Sequence, residues 1–169
     1  PTRRSSDLAL TSAQQATLKA AILADNTLNA FPNTGDGNFD LAVYLSKTLA
    51  SPAFIVWRTN VSVGEVGKTF NATDLAGLSS LNTTRLTNLA LWLSSGVNPS
   101  LASVRQFFDD IFSGAGGTAT RTALLAIWKR SAVLIEKILA TGTGSDASPA
   151  TMGFEGTISA ADVTAARNS

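Results

Sequence analysis

The residues that come nearest to a chemical signature are Gly64-Glu65-Val66-Gly67-Lys68-Thr69, which end in the Gly-Lys-Thr of a phosphate-binding loop. That loop needs a further glycine five residues before its second one, so that successive backbone amides can curl round the phosphates. Position 62 is Ser, and the pattern fails there. Gly142-Thr143-Gly144 opens like a dinucleotide fingerprint, but Pro149 follows and no strand–helix–strand unit surrounds it. A helix stop followed by linker accounts for it better. Asp109 and Asp110 are adjacent on an expected helix, roughly 100° apart, and do not converge on one ligand. Arg105 stands four residues before Asp109, at the spacing of a helical ion pair. Trp57, Trp92 and Trp128 lie in apolar registers that suit a core more than ligand stacking. Lys129, Arg130 and Lys137 lack the interleaved aromatics of a nucleic-acid groove and read as a solvated or inter-subunit face.

Composition narrows the chemistry further. The 169 residues include no His and no Cys. That excludes Ser-His-Asp and Cys-His catalysis, disulfides, Cys/His zinc sites and a histidine pH switch. No carboxylate spacing argues for acid–base work or a hard metal site, so no catalytic residue, metal or cofactor is expected. Charged residues are 15% of the chain, against the roughly 25% usual in globular domains. In their place stand 38 Ser and Thr and 26 Ala. Net charge is +1, which gives no bulk electrostatic case for nucleic acid. No window approaches the ~18–20 apolar residues of a membrane span.

These residues need positioning elements, and the pattern is helical. Residues 1–8 show no apolar period and read as a non-native or disordered leader. Thr11 and Gln14 form a capping box opening a helix over 11–24. A helix over 38–50 would turn Phe39, Val43 and Leu45 or Leu49 inward. Ser51-Pro52 restarts the chain, and Ala53-Phe54-Ile55-Val56-Trp57 fits strand or buried helix, with the Ser-Pro start favouring helix. Ser62 caps one turn with Glu65 at its third position. Further helices are expected over 75–95 (with Leu75, Leu78, Leu81, Leu86, Leu89, Trp92 and Leu93) and over 100–113. The strongest spans 118–140, its main stripe being Leu124, Ile127, Trp128, Ser131, Leu134, Ile135 and Ile138. The expected fold is therefore all-α: a helical bundle body over 9–140 around a long central helix.

After Thr141 the texture changes. Residues 142–151 have the composition of a flexible linker, and Met152, Phe154 and Ile158 follow as an apolar hook beside Glu155. Ser159 and Asp162 form a last capping box. Residues 141–169 thus read as an extended C-terminal arm. Its hook either folds back on the chain's own body or docks on a neighbour.

Two stretches carry a resemblance. One is Ser51-Pro52-Ala53-Phe54 with Val56-Trp57-Arg58-Thr59. The other runs from Lys129-Arg130 through Glu136-Lys137-Ile138-Leu139-Ala140-Thr141-Gly142-Thr143-Gly144 and Ser148-Pro149-Ala150-Thr151-Met152-Gly153-Phe154-Glu155-Gly156 to Asp162-Val163 and Ala165-Ala166-Arg167-Asn168. Over roughly 10–168, most strongly in these two stretches and only in pattern over about 62–120, the chain resembles small virion structural proteins of tailed bacteriophages, most of all head–tail connectors (adaptors) of the neck. The resemblance implies a non-enzymatic structural protein of the virion, assembled in the host cytoplasm. It implies self-association into a closed, roughly twelve-fold ring against the portal protein and the next neck or tail protein. Genomic DNA would pass through without sequence-specific binding, and no membrane is involved. On this reading Met152, Phe154, Glu155 and Ile158 are the partner-binding residues, docking the arm on the portal. The alternatives are a capsid decoration or tail protein, or a monomeric helical ligand-binding domain.

Overall fold

The computed structural model describes residues 9–92 and 96–169, without the side chains of 89–92 and 115. The readings made for residues 1–8 and for Leu89, Trp92 and Leu93 lie outside the described residues. The chain is mostly helical. In order it forms α1 (Ser12–Ala24), α2 (Asn26–Asn29), α3 (Gly35–Lys47), β1 (Ile55–Trp57), α4 (Val63–Gly67), α5 (Ala72–Ala76), α6 (Ser80–Trp92), α7 (Ala102–Ile111), a 3-10 turn (Ala115–Gly117), α8 (Thr118–Trp128), β2 (Lys129–Ser131), α9 (Leu134–Leu139) and α10 (Ala160–Asn168).

Two compact units result. The first joins the residues up to Val56 with Ser131–Ser169, and the second is the continuous run Trp57–Arg130. This replaces the expected division into a body over 9–140 and a separate arm. In the first unit, Leu18 and Ile22 of α1, Leu41 and Leu45 of α3, Ile135 of α9 and Val163 and Ala166 of α10 share one core with Ile158. In the second, Val61, Val66, Phe108, Ile111, Phe112, Leu124 and Trp128 form another. Phe108 meets Trp128 edge to face, with centroids 5.3 Å apart. Such aromatic pairs add about 0.5–1.5 kcal/mol beyond their area burial.

The capping boxes form as their spacing predicts. Thr11 and Gln14 close the start of α1, Ser62 and Glu65 that of α4, and Ser159 and Asp162 that of α10. A hydroxyl three residues before a carboxyl or amide satisfies two orphan amides locally, whatever the tertiary context.

The long central helix does not form. Helix α8 stops at Trp128, residues Lys129–Ser131 pair with β1, and α9 begins only at Leu134. Around β2, Ala132 N–H donates to Phe54 O (2.8 Å), Ala50 N–H to Ala132 O (2.9 Å) and Leu134 N–H to Thr48 O (2.9 Å). A helical and a ladder hydrogen bond are alike in net worth, about 1 kcal/mol each, so burial decides. Ala132 becomes fully buried against Val56 and Ala150, while Ser131, expected on the inner stripe, is exposed. For the same reason residues 55–57 are strand, and the helix expected after Ser51-Pro52 is absent.

Two further registers shift. The segment expected as one helix over 75–95 begins as two, α5 and α6, with Leu75 and Leu81 exposed. Helix α3 starts at Gly35, three residues before the expected 38, with Thr34 as its cap. Its buried side is then Gly37, Asn38, Leu41, Ala42 and Leu45, and both Phe39 and Leu49 are exposed.

The arm is not extended. Helix α10 packs on α3 and α1. The buried Asp162 carboxylate accepts from Leu10 N–H (3.1 Å), Ser159 N–H (2.9 Å) and the Ser159 hydroxyl (2.7 Å). Replacing Asp162 with Ala leaves the Leu10 amide without its acceptor in a buried place. The expected loss is about 1–3 kcal/mol, read as a lower urea midpoint with unchanged slope.

Candidate functional site

The hook sits on a scaffold of backbone hydrogen bonds. Thr141 and Thr151 exchange both of theirs at 2.9 Å, closing residues 142–150 into a loop. Inside it, Ile55 N–H donates to Gly144 O (2.7 Å) and Ala150 N–H to Ile55 O (2.9 Å), so the loop extends the edge of β1. Ser148 N–H donates to Ser145 Oγ (3.0 Å), and Thr143 Oγ1 donates to Ser148 O (3.0 Å). The stretch read as flexible linker is therefore a tied loop. Gly144 is what allows it: its φ is +65°, and a Cβ there would lie 2.3 Å from the Phe54 ring.

The four hook residues do not converge on one exposed patch. Ile158 is only 7% exposed, inside the first unit's core, and its amide donates to Ser46 Oγ (3.1 Å). Phe154 is half-buried against that core, and Met152 half-buried against Val56, Ala132 and Ala150. Glu155 is exposed. The Gln14 side-chain amide donates to Gly153 O (2.7 Å) and ties the hook to α1. Of the two dispositions open from the sequence, the chain adopts the one in which the hook folds home. Ile158 accordingly serves as core here.

The remaining candidates separate in space. Gly64–Thr69 is no phosphate cradle, since Gly64 and Gly67 belong to α4 and Lys68 caps its end. Glu65 is held by the Arg58 guanidinium (2.9 Å), the Ser62 amide (2.9 Å) and the Ser62 hydroxyl (2.8 Å). These contacts, Arg58 first, lower its carboxyl to about 2. Arg105 does not turn to Asp109; it donates to the carbonyls of Pro99 and Ser100 and lies 4.2 Å over the Trp57 ring. Burial of its guanidinium lowers its pKa against the opposing pull of Asp109. Trp128 is core, with its indole N–H unpaired among the described residues. Lys137 lies 5.9 Å over Phe54, whereas Lys129 and Arg130 belong to β2. Among the described residues no three His, Cys, Asp or Glu side chains are grouped to hold a metal. No described helix is long and apolar enough to cross a membrane.

Among the concavities the sequence did not announce is a cavity of about 310 Å³ in the first unit, edged by Lys19 and Arg167. Its lining comes from three separate stretches of chain, so no local motif announces it. Comparison with protein-family models, curated proteins and solved structures returned no match.

Two outcomes follow from this geometry. The folded Glu65 lies below its ordinary 4.5, so its contribution to stability is present above that value and lost as pH falls towards 2. Melting curves of wild type and Glu65→Gln should differ at pH 6 and converge on acidification. Phe154→Ala should lower the melting temperature of the isolated chain by a loss of about 1–3 kcal/mol, below the range for a fully buried Phe because the ring is half-exposed.

Proposed function

We propose that this chain is a structural subunit of a tailed-bacteriophage virion, a head–tail connector that assembles as a ring beneath the portal. One observation supports it best. The stretches that carry the resemblance, 51–59 and 129–168, are far apart in sequence, yet residues 51–56 and 131–168 belong to one unit. Within it, Phe54, Ile55 and Val56 are hydrogen-bonded or bridged to Ala132, Gly144 and Ala150. A resemblance strongest over parts that fold into one unit is what common architecture produces, since packing partners constrain each other.

On this reading the portal contact uses the outer surface of the tied loop and hook, where Glu155 is exposed and Met152 and Phe154 are half-exposed. Ile158 holds that surface in place from beneath. Low charge and abundant Ala, Ser and Thr favour close subunit contacts, because few charges have to be desolvated there.

The test is the protein content of purified particles. Mass spectrometry should find the chain at a ring-like copy number, and imaging should place it at the neck. Many copies over the shell would instead identify a decoration protein, and absence from particles would end the proposal. Glu155→Lys should then reduce incorporation into particles, with circular dichroism showing that the variant still folds.

A further inference from the structure

We propose that an acid-flanked aromatic knob on α3 docks into the cation-edged cavity of the same unit in a neighbouring copy, head to tail. The proposal deepens the ring reading above and rests on it.

The cavity, about 310 Å³, is lined among others by Lys19, Ile22, Leu23, Phe31, Pro32 and Arg167. Apolar residues make up most of its lining beside Asn29, Asn33 and two cations, and no carboxylate side chain lines it. Arg167 donates to Asn38 Oδ1 and to Phe31 O, both at 2.8 Å, which fixes the guanidinium at the rim. Five guanidinium N–H groups exceed these two bonds, so an incoming acceptor can still be served. Lys19 donates to Ser169 O and likewise has ammonium hydrogens to spare. Leu23, beside them, is 64% exposed.

The complementary surface is on α3. Phe39 is 59% exposed, a large apolar group with no packing partner in its own core. Asp36 and Asp40 are exposed too, and positions 36, 39 and 40 share one helix face. Phe39 does not line the cavity, so a chain does not fill its own socket. An aromatic ring between two carboxylates matches an apolar pocket between two cations in both shape class and charge. A free carboxylate or a lipid headgroup would satisfy the cations alone and leave Phe39 unexplained. Used in one direction, the contact of knob with socket is heterologous, the kind that generates rings when its rotation closes; reciprocal exchange about a two-fold would stop at a dimer.

Sedimentation velocity of the full chain tests this. Wild type should self-associate with rising concentration. Phe39→Ser, which removes the knob, and Lys19→Glu, which reverses the socket, should each weaken association about tenfold or more, as loss of a central anchor does. Circular dichroism melting should stay unchanged for Phe39→Ser, because the ring is exposed. Mixing the two variants should give a 1:1 dimer that grows no further, since one intact knob and one intact socket remain. Combining Lys19→Glu with Asp40→Lys in one chain should restore association. Assembly of Phe39→Ser like wild type, a mixture that stays monomeric, or a wild type that never associates would each overturn the contact. A chain found in particles but indifferent to Phe39→Ser would remove this contact and leave the virion reading standing; absence from particles would do the reverse.

Discussion

Everything in the first unit depends on one buried backbone seam. Val56, Ala132 and Ala150 come from three distant parts of the chain and are each fully enclosed. Their polar backbone groups have no water to turn to, so they must satisfy one another. They do so through the bonds that join Phe54 to Ala132, Ile55 to Gly144 and Ala150, and Ala50 to Ala132. The small side chains are part of the mechanism: alanine at 132 and 150 lets three backbones approach without a side chain between them. An unpaired buried amide costs about as much as several exposed contacts return. The seam therefore holds its register more firmly than its short strands suggest.

That constraint explains what could be read from the sequence and what could not. Capping boxes were legible because their partners lie three residues apart and answer to local geometry. The apolar content of α7 was legible as well, since Phe108, Ile111 and Phe112 face a core at ordinary helical spacing. The run from 118 to 140 misled because Trp128, Ser131, Leu134 and Ile135 keep helical spacing whether or not the helix is continuous. Only a partner from residues 48–56 breaks it, and that partner is some eighty positions away. Phe39 misled because the inward stripe was placed through 39 and 43, whereas the buried side runs through Leu41 and Leu45.

The hook teaches the same lesson from the other side. Glycine, serine and alanine in 142–151 look like a linker because those residues are common in linkers. In this chain they serve close approach: Gly144 passes the Phe54 ring, and Gly142 passes Ala150 Cα, which a Cβ would meet at 3.2 Å. Composition cannot distinguish a residue that is small for freedom from one that is small for contact. The cavity beside Lys19 was illegible for a plainer reason, since its walls come from α1, the turn before α3 and the end of α10.

Asp162 has a bearing on how the protein is made. Its carboxylate reaches back 152 positions to the amide of Leu10, and α10 covers both α1 and α3. The ribosome delivers α1 and α3 first and the helix that completes their core last. Until residue 163 or so has emerged, Leu18, Leu41 and Leu45 lack Val163 and Ala166 to close over them. The second unit meets no such delay, being one uninterrupted run whose core residues all lie between Val61 and Trp128. Synthesis thus passes through a stage in which the inserted unit is whole while the unit that hosts it is still open. The sticky, half-built surface at that stage is the one that later carries the core of the first unit, and it is sheltered only once α10 is free to pack over it.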